Sequence, residues 1–306
     1  MPAIALAPPG RAAAGTALVA LSALGFAFMP VLGALVVAAG VDPAWMVAER
    51  FVPAAVLLLP VAVGALRTPG ECLLGFVAGG VMAFGLLAFF RGLETVPIAH
   101  ATVIYYTYPV FVLLWRRLLV GARATLADEA GAALIVAGAL LAANPDVGGD
   151  AFGPAIALCF AAPAAFALIV LYVSRPAGGV PTIARLAWTA LGTVVVMGAY
   201  ALWTTGGAGA LPGDAAGWRL LALLVFATAF LPQIVYVTAA PWAGPGRTAV
   251  AGGLELPIAA VAGAWILDDP LDWRIFAALA LVLMALRFSL RERRADDRRG
   301  GLVAAR

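Results

Sequence analysis

Long apolar stretches alternate with short polar turns along nearly the whole chain. A membrane-spanning helix needs about 20 mostly apolar residues, and the sequence offers ten such stretches. They lie near 14–38, 44–66, 71–91, 96–116, 125–143, 152–174, 184–204, 217–240, 247–267 and 271–289. The pattern therefore predicts an all-α membrane protein of about ten transmembrane helices.

The first stretch needs a separate test, because a signal peptide also begins with a basic residue and an apolar run. After Arg11 the uncharged run extends from Ala12 to Val41. The apolar core of a signal peptide is only about 7–15 residues long. The length favours a first membrane helix that is kept in the protein.

Composition excludes a water-soluble protein. Hydrophobic residues make up 64% of the chain and charged residues 11%, whereas soluble domains have about 25% charged residues. The net charge of +3 comes from arginines at segment ends, which gives no basic patch for nucleic acid. Cys72 and Cys159 lie in different apolar stretches, so neither a disulfide framework nor a metal cluster follows from them.

Arginine is distributed unevenly between the two sides of the predicted bundle. Cytoplasmic loops of membrane proteins carry an excess of basic residues, and this rule places both termini in the cytoplasm. The predicted cytoplasmic arginines are Arg11, Arg67, Arg116, Arg117, Arg123, Arg175, Arg185, Arg247, Arg287 and those of the tail 290–306. The opposite side receives only Arg50, Arg91, Arg219 and Arg274. We expect a multi-pass protein of a bacterial cytoplasmic (inner) membrane with a basic cytoplasmic tail.

The two halves of the chain resemble each other. Pro97 precedes Pro109 by the same number of residues as Pro245 precedes Pro257, and similar apolar flanks follow each pair. This predicts one five-helix unit over 14–143 and a second over 152–289. Because five is odd, two tandem units must insert with opposite orientation, which is the inverted-repeat architecture of many secondary transporters.

The small-residue run Thr248–Leu267 contains Glu255 and Pro257 and is followed by acidic residues, and the second span contains Arg50. In these features the sequence resembles the EamA-type permeases of the drug/metabolite transporter superfamily. The segment 120–123 lacks the acidic residue that the family tends to have after its fourth helix. The resemblance implies a ten-helix exporter of small solutes and does not specify the cargo.

Aromatic and polar residues within the spans are candidates for a substrate cavity. Tyr105 and Tyr108 belong to a tyrosine-rich run about halfway along the fourth span, where their hydroxyls need partners. A pocket for amino acids, aromatic metabolites or organic cations is one interpretation, and an interfacial aromatic belt is the other. Gln233 and Tyr236 of the eighth span are further candidates. We expect the cavity among the third, fourth, eighth and ninth spans with the first and sixth.

Glu255 and Arg50 are the charged candidates. A carboxylate at the depth of Glu255 should face the protein interior, be paired or be protonated, so it is a candidate proton carrier or a structural hydrogen-bonding group. Arg50 suits a substrate carboxylate or an interfacial anchor, and His100 is expected at the interface. Pro109 and Pro257 each remove a helical hydrogen bond, which predicts a kink in the fourth and ninth spans.

An intramembrane enzyme has little support in the sequence. The acidic run Asp268 to Asp272 has the spacing of a magnesium–diphosphate site, but the only other Asp pair lies in the basic tail, so we expect a turn with Asp272 capping the last helix. A single histidine leaves few ingredients for Ser/His/Asp catalysis, and a chain without lysine cannot form a Walker-type phosphate loop. The sequence predicts no cofactor and no catalytic residue.

A transporter of small molecules within the lipid bilayer is therefore expected, with protons as candidate coupling ions. An uncoupled facilitator is the alternative within transport, and a scaffold is the remaining non-transport alternative. Monomer and homodimer are both open.

Overall fold

A computed structural model describes residues 9–121, 124–142, 152–174 and 180–285, and these residues form helices and turns without a strand. The tail 290–306 and the predicted cytoplasmic residues Arg123 and Arg175 lie outside the described residues. Each of the ten predicted stretches coincides with one helix or with a series of consecutive helices.

The first half contains eight helices. They are α1 (Pro9–Ala27), α2 (Met29–Ala38), α3 (Pro43–Leu57), α4 (Leu59–Gly64), α5 (Pro69–Gly92), α6 (Ile98–Tyr105), α7 (Tyr108–Val120) and α8 (Leu126–Ala142). A short 3₁₀ turn, Ala65–Arg67, joins α4 to α5.

The second half also contains eight α-helices. They are α9 (Phe152–Cys159), α10 (Ala161–Ser174), α11 (Thr182–Thr205), α12 (Ala215–Ala222), α13 (Leu231–Ala243), α14 (Pro245–Gly252), α15 (Glu255–Leu267) and α16 (Trp273–Ala285). A π-helical segment, Leu223–Phe230, connects α12 to α13.

Seven helical stretches of the described chain are long and apolar enough to cross a membrane. An eighth is obtained if α3 and the segment Leu59–Arg67, which meet at 66°, form one bent span. The remaining two predicted spans correspond to α8, with 17 residues, and α16, with 13 described residues. A helical membrane fold is thus confirmed, whereas the count of ten spans stays a prediction.

Proline divides several of these stretches at matching places in the two halves. The fourth stretch breaks between α6 and α7, just before Pro109, and the ninth breaks between α14 and α15, just before Pro257. The first stretch likewise breaks before Pro30, and the sixth breaks before Pro163. Proline has no N–H to donate to the carbonyl four residues earlier, and its ring clashes with that carbonyl. This explains why the helices break just before these prolines.

Contacts between the halves occur in reciprocal pairs. The third stretch of each half packs against the first stretch of the other half, as α5 does on α9 and α10 and α13 does on α1. The second stretches, α3 and α11, pack together, and the fourth stretches meet through α6 and α15. Reciprocal contacts of this kind are what a two-fold relation between the halves requires. The inverted repeat itself remains a prediction.

Glycine allows α5 and α11 to approach each other closely. A β-carbon on Gly79 of α5 would overlap the backbone of Thr189, and one on Gly192 of α11 would overlap the backbone of Phe76. Small residues at such positions let helices approach closely in membranes. The α5–α11 contact therefore joins the two halves through backbone-to-backbone packing.

Candidate functional site: a cavity at three helix breaks

A small cavity lies where the broken helices of the two halves meet. Its volume is about 10 Å³, which is space for roughly one water molecule. The lining comes from the first, third, fourth and ninth stretches and consists of Phe26, Ala27, Met29, Pro30, Phe89, Thr102, Tyr105, Glu255 and Ala259. The cavity thus contains a carboxylate, a hydroxyl and aromatic faces at the breaks of three helices.

Glu255 is the first residue of α15 and lies directly after the break in the ninth stretch. Its Oε2 accepts a hydrogen bond from the Tyr106 hydroxyl at 3.0 Å. The other carboxylate oxygen, Oε1, has no hydrogen-bond partner among the described residues. The side chain therefore joins the two halves through one oxygen and leaves the second available at the cavity.

Tyr105, Tyr106 and Tyr108 occupy different positions around the cavity. Tyr105 lines the cavity, and its ring lies 5.8 Å from that of Phe89 and 6.0 Å from that of Phe166. The Tyr108 ring lies 5.2 Å from that of Phe166, beyond the break. Tyr106, which was not among the site residues predicted from the sequence, is the residue that donates a hydrogen bond to Glu255. All three tyrosines are at least partly buried in one aromatic cluster, and the cluster is not a belt at the surface.

Arg50 lies near enough to the cavity residues to interact with them electrostatically. It interacts electrostatically with Tyr105 and Glu255, although no Arg50–Glu255 ion pair within 4.0 Å occurs in the described part of the chain. Its Nε is buried without a hydrogen-bond partner, as is Oε2 of the adjacent Glu49. An arginine with unused hydrogen-bonding capacity is therefore held close to a carboxylate without neutralising it by contact.

Thr102 provides a further polar atom without a hydrogen-bond partner in the part of the chain that the structure describes. The residue is 6% exposed, and its hydroxyl oxygen has no hydrogen-bond partner in the described structure. Buried hydroxyls usually find a partner, so an unpartnered one in a cavity wall points toward a ligand or a water at that place.

Proline also frees carbonyl groups at the cavity. Because Pro30, Pro109 and Pro257 have no N–H, the carbonyls of the residues four positions earlier lose their usual helical donor. Two of those residues, Phe26 and Tyr105, line the cavity. Irregular backbone at membrane depth is tolerated where it faces protein or a wet cavity, and this arrangement meets that condition.

The two candidates of the eighth stretch, Tyr236 and Gln233, differ in their positions relative to the cavity. Tyr236 interacts electrostatically with Tyr108 and Glu255, and its ring lies 6.3 Å from that of Phe26. Gln233 is exposed, and no described contact joins it to the cluster. His100 is 1% exposed and therefore enclosed by protein, and its expected position at the membrane interface stays a prediction.

The acidic turn after α15 is structural. Asp272 Oδ1 accepts from the backbone N–H of Ile275 at 3.0 Å and so caps α16, as predicted. Asp269 Oδ2 accepts from the backbone N–H of Ile98 at 2.6 Å and caps α6 in the other half. Burial raises the pKa of Asp269, and the bond from Ile98 opposes that rise. No group of three potential metal ligands occurs among the described residues.

A larger groove of about 460 Å³ lies at one end of the bundle, between α3, α5, α9 and α11. Arg91 lines it with Asp42, 3.7 Å away, and also bonds to Glu94 at 3.0 Å. The arginine is half exposed and flanked by two acids, so these surface pairs contribute little energy.

Comparisons with known proteins agree with this architecture. Residues 13–144 match the EamA-like transporter family. No curated protein matches the chain. Among solved structures, one titled "Crystal structure of protein" is 16% identical, covers 92% of this chain and 98% of its own, and superposes with a TM-score of 0.59. That likeness concerns the fold alone.

The fold is that of a multi-pass helical membrane protein. Residues 13–144 are similar to the EamA-like transporter family, which confirms the resemblance seen in the sequence for the first half of the chain.

Proposed function

We propose that the protein is a secondary transporter that exports small metabolites, amino acids or drugs by alternating access between the two sides of the membrane. The observation that carries this proposal is the position of Glu255. It lies at a helix break, at a cavity shared by both halves, with one oxygen bonded to Tyr106 and one unbonded. Interrupted helices that meet around buried polar groups are typical of transporter binding sites.

Protons are the proposed coupling ions, with Glu255 as their carrier. A buried carboxylate in a low-dielectric interior is neutralised by taking up a proton or by binding a cation. Tyr105, Tyr108 and Tyr236 supply aromatic faces for the substrate, Arg50 supplies a positive charge, and Pro109 and Pro257 mark the kink points. The reciprocal contacts support two five-helix units, 14–143 and 152–289, related by inversion.

The membrane is proposed to be a bacterial inner membrane with both termini in the cytoplasm, on the arginine distribution. An uncoupled facilitator of the same solutes is the second candidate, and the unpartnered hydroxyl of Thr102 favours it, because such an atom can bind a neutral solute without any proton.

Transport by the purified protein in liposomes tests the proposal. Uptake and counterflow of pooled radiolabelled amino acids and amines are measured with and without an imposed pH gradient. Stimulation by the gradient, lost in Glu255→Gln, is the expected result. Glu71→Gln, which changes a carboxylate at the start of α5, is the matched control. Movement that ignores the gradient would favour the facilitator, and the absence of movement for every solute would contradict the proposal.

A further inference from the structure

The helices α6 and α15 form a seam between the two halves that is closed at both ends. Ile98 at the start of α6 donates its N–H to Asp269 just after α15, at 2.6 Å. Tyr106 just after α6 donates its hydroxyl to Glu255 at the start of α15, at 3.0 Å. The two helices therefore run antiparallel, and at each end a carboxylate of the second half accepts from the first half.

Close packing fills the seam between these bonds. A β-carbon on Gly263 of α15 would lie 3.0 Å from the β-carbon of Ile98 and 2.9 Å from Oδ2 of Asp269. All seven residues from Ile98 to Ile104 are buried. The seam is therefore tightly packed at its Asp269 end.

The other halves of the same two stretches are arranged differently. The helix α7, which continues α6, has no buried residue. It packs on α10 and α8, whereas α14, which precedes α15, packs on α1 and α13. In the described chain α7 and α14 have no packing on each other that compares with the α6–α15 contact. The two stretches are thus closed on one side of their breaks and separated on the other.

We infer that the α6–α15 seam is the gate that closes the cavity toward the Asp269 end, and that this structure is the state open toward the opposite end. Asp269 and Gly263 are positioning residues of this gate, and Tyr106 joins it to Glu255. The opposite state brings α7 onto α14 and separates α6 from α15, with bending at 106–107 and 253–254. This inference rests on the proposed transport function. It identifies the α6–α15 contact as the one that separates when the cavity opens toward the Asp269 end.

The arginine distribution places the Asp269 end outside the cytoplasm, so the structure faces inward. The gate can nevertheless be tested without knowing the orientation, since the two ends are identified by their residues.

Distances between spin labels test the gate directly. In a background of Cys72→Ser and Cys159→Ala, one label pair is placed at Thr95 and Pro270 beside the seam. A second pair is placed at Val120 and Arg247, at the far ends of α7 and α14. All four positions are exposed. The protein is studied in lipid nanodiscs without substrate.

Gly263→Val should act as a wedge, because its side chain has no room against Ile98. We expect the Thr95–Pro270 distance to lengthen and the Val120–Arg247 distance to shorten. Asp269→Asn should give the same shifts in distance to a smaller extent. This second variant tests the gate even if Gly263→Val fails to fold. Gly252→Ala is the matched control, since a β-carbon there meets no atom within 4 Å.

Unchanged distances in both Gly263→Val and Asp269→Asn would overturn the gate. Longer Thr95–Pro270 distances without any shortening at Val120–Arg247 would also overturn it, because the two ends would then not be coupled. Neither result depends on substrate, so a failure to detect transport bears on the proposed function and leaves the gate to be judged on distances.

Discussion

The hydroxyl of Tyr106 donates a hydrogen bond to Glu255 although the two residues are 149 positions apart in the chain. The bond connects the first half to the second at the level of the cavity. Tyr106 is 7% exposed, so water cannot readily replace the bond when it is lost. Several predictions about stability and transport depend on this contact and its neighbours.

Tyr106→Phe removes the donor and keeps the ring. Hydrogen bonds between membrane helices contribute about 0.6–2 kcal/mol, so we expect a modest loss of thermal stability in detergent. The loss should vanish when Glu255→Ala, which removes the acceptor, is already present, as a double-mutant cycle would measure. Tyr105→Phe is the matched control, because no hydrogen bond from Tyr105 is present in the described structure. Equal losses in both backgrounds would argue against a direct contribution of the bond.

Gly79→Ala and Gly192→Ala should each weaken the α5–α11 contact strongly. The added methyl groups overlap the facing backbone, and overpacking typically costs about 1–3 kcal/mol. The unfolding temperature and the yield of folded protein report the change. Gly198→Ala on the same helix α11 meets no atom within 4 Å and should be neutral or stabilising, since alanine favours helix. A destabilised Gly198→Ala would show that the effect is not one of packing.

Pro109→Ala and Pro257→Ala restore an N–H to the broken stretches. We expect the helix to extend across the break, with greater protection of residues 106–107 or 253–254 in hydrogen exchange and with slower transport. Pro69→Ala is the control, because Pro69 begins α5, where proline replaces no helical donor. Unaltered exchange at the breaks would mean that packing, and not proline, maintains them.

Asp272→Ala should destabilise α16 through the loss of its cap. Removal of an N-terminal cap costs about 1 kcal/mol, and the expected readout is faster hydrogen exchange at Ile275 and the residues after it. Asp272→Asn keeps a capping oxygen and should preserve most of the protection. If the acidic turn instead bound magnesium, both variants would abolish magnesium-dependent stabilisation.

The sequence predicts the helices well and the contacts between them incompletely. Apolar length determines where a chain can cross a bilayer, so each predicted stretch coincides with helix, and proline predicts the breaks before Pro109 and Pro257. The number of crossings is harder to assign, because α8 has 17 residues and the described part of α16 has 13. Length and apolarity do not say whether such a helix spans the bilayer.

The site was only partly predictable. The tyrosine run was recognisable, but the break at 106–107 changes the helical rotation between Tyr105 and Tyr108, so periodicity could not indicate that Tyr106 meets Glu255. Thr102 has no distinctive signal among apolar neighbours. His100 is buried because α6 lies in the seam between the halves, and a partner that distant in sequence cannot be read from local pattern.

The cap of α6 by Asp269 has a consequence for how the protein is made. Ile98 leaves the ribosome long before residue 269 is synthesised, so the first turn of the fourth stretch enters the membrane without its eventual acceptor. The first five stretches expressed alone should therefore hold this helix start less firmly than the full-length protein does. Completion of the early half therefore waits until the second half has been translated through residue 269, which makes assembly of the two halves a late step in biogenesis.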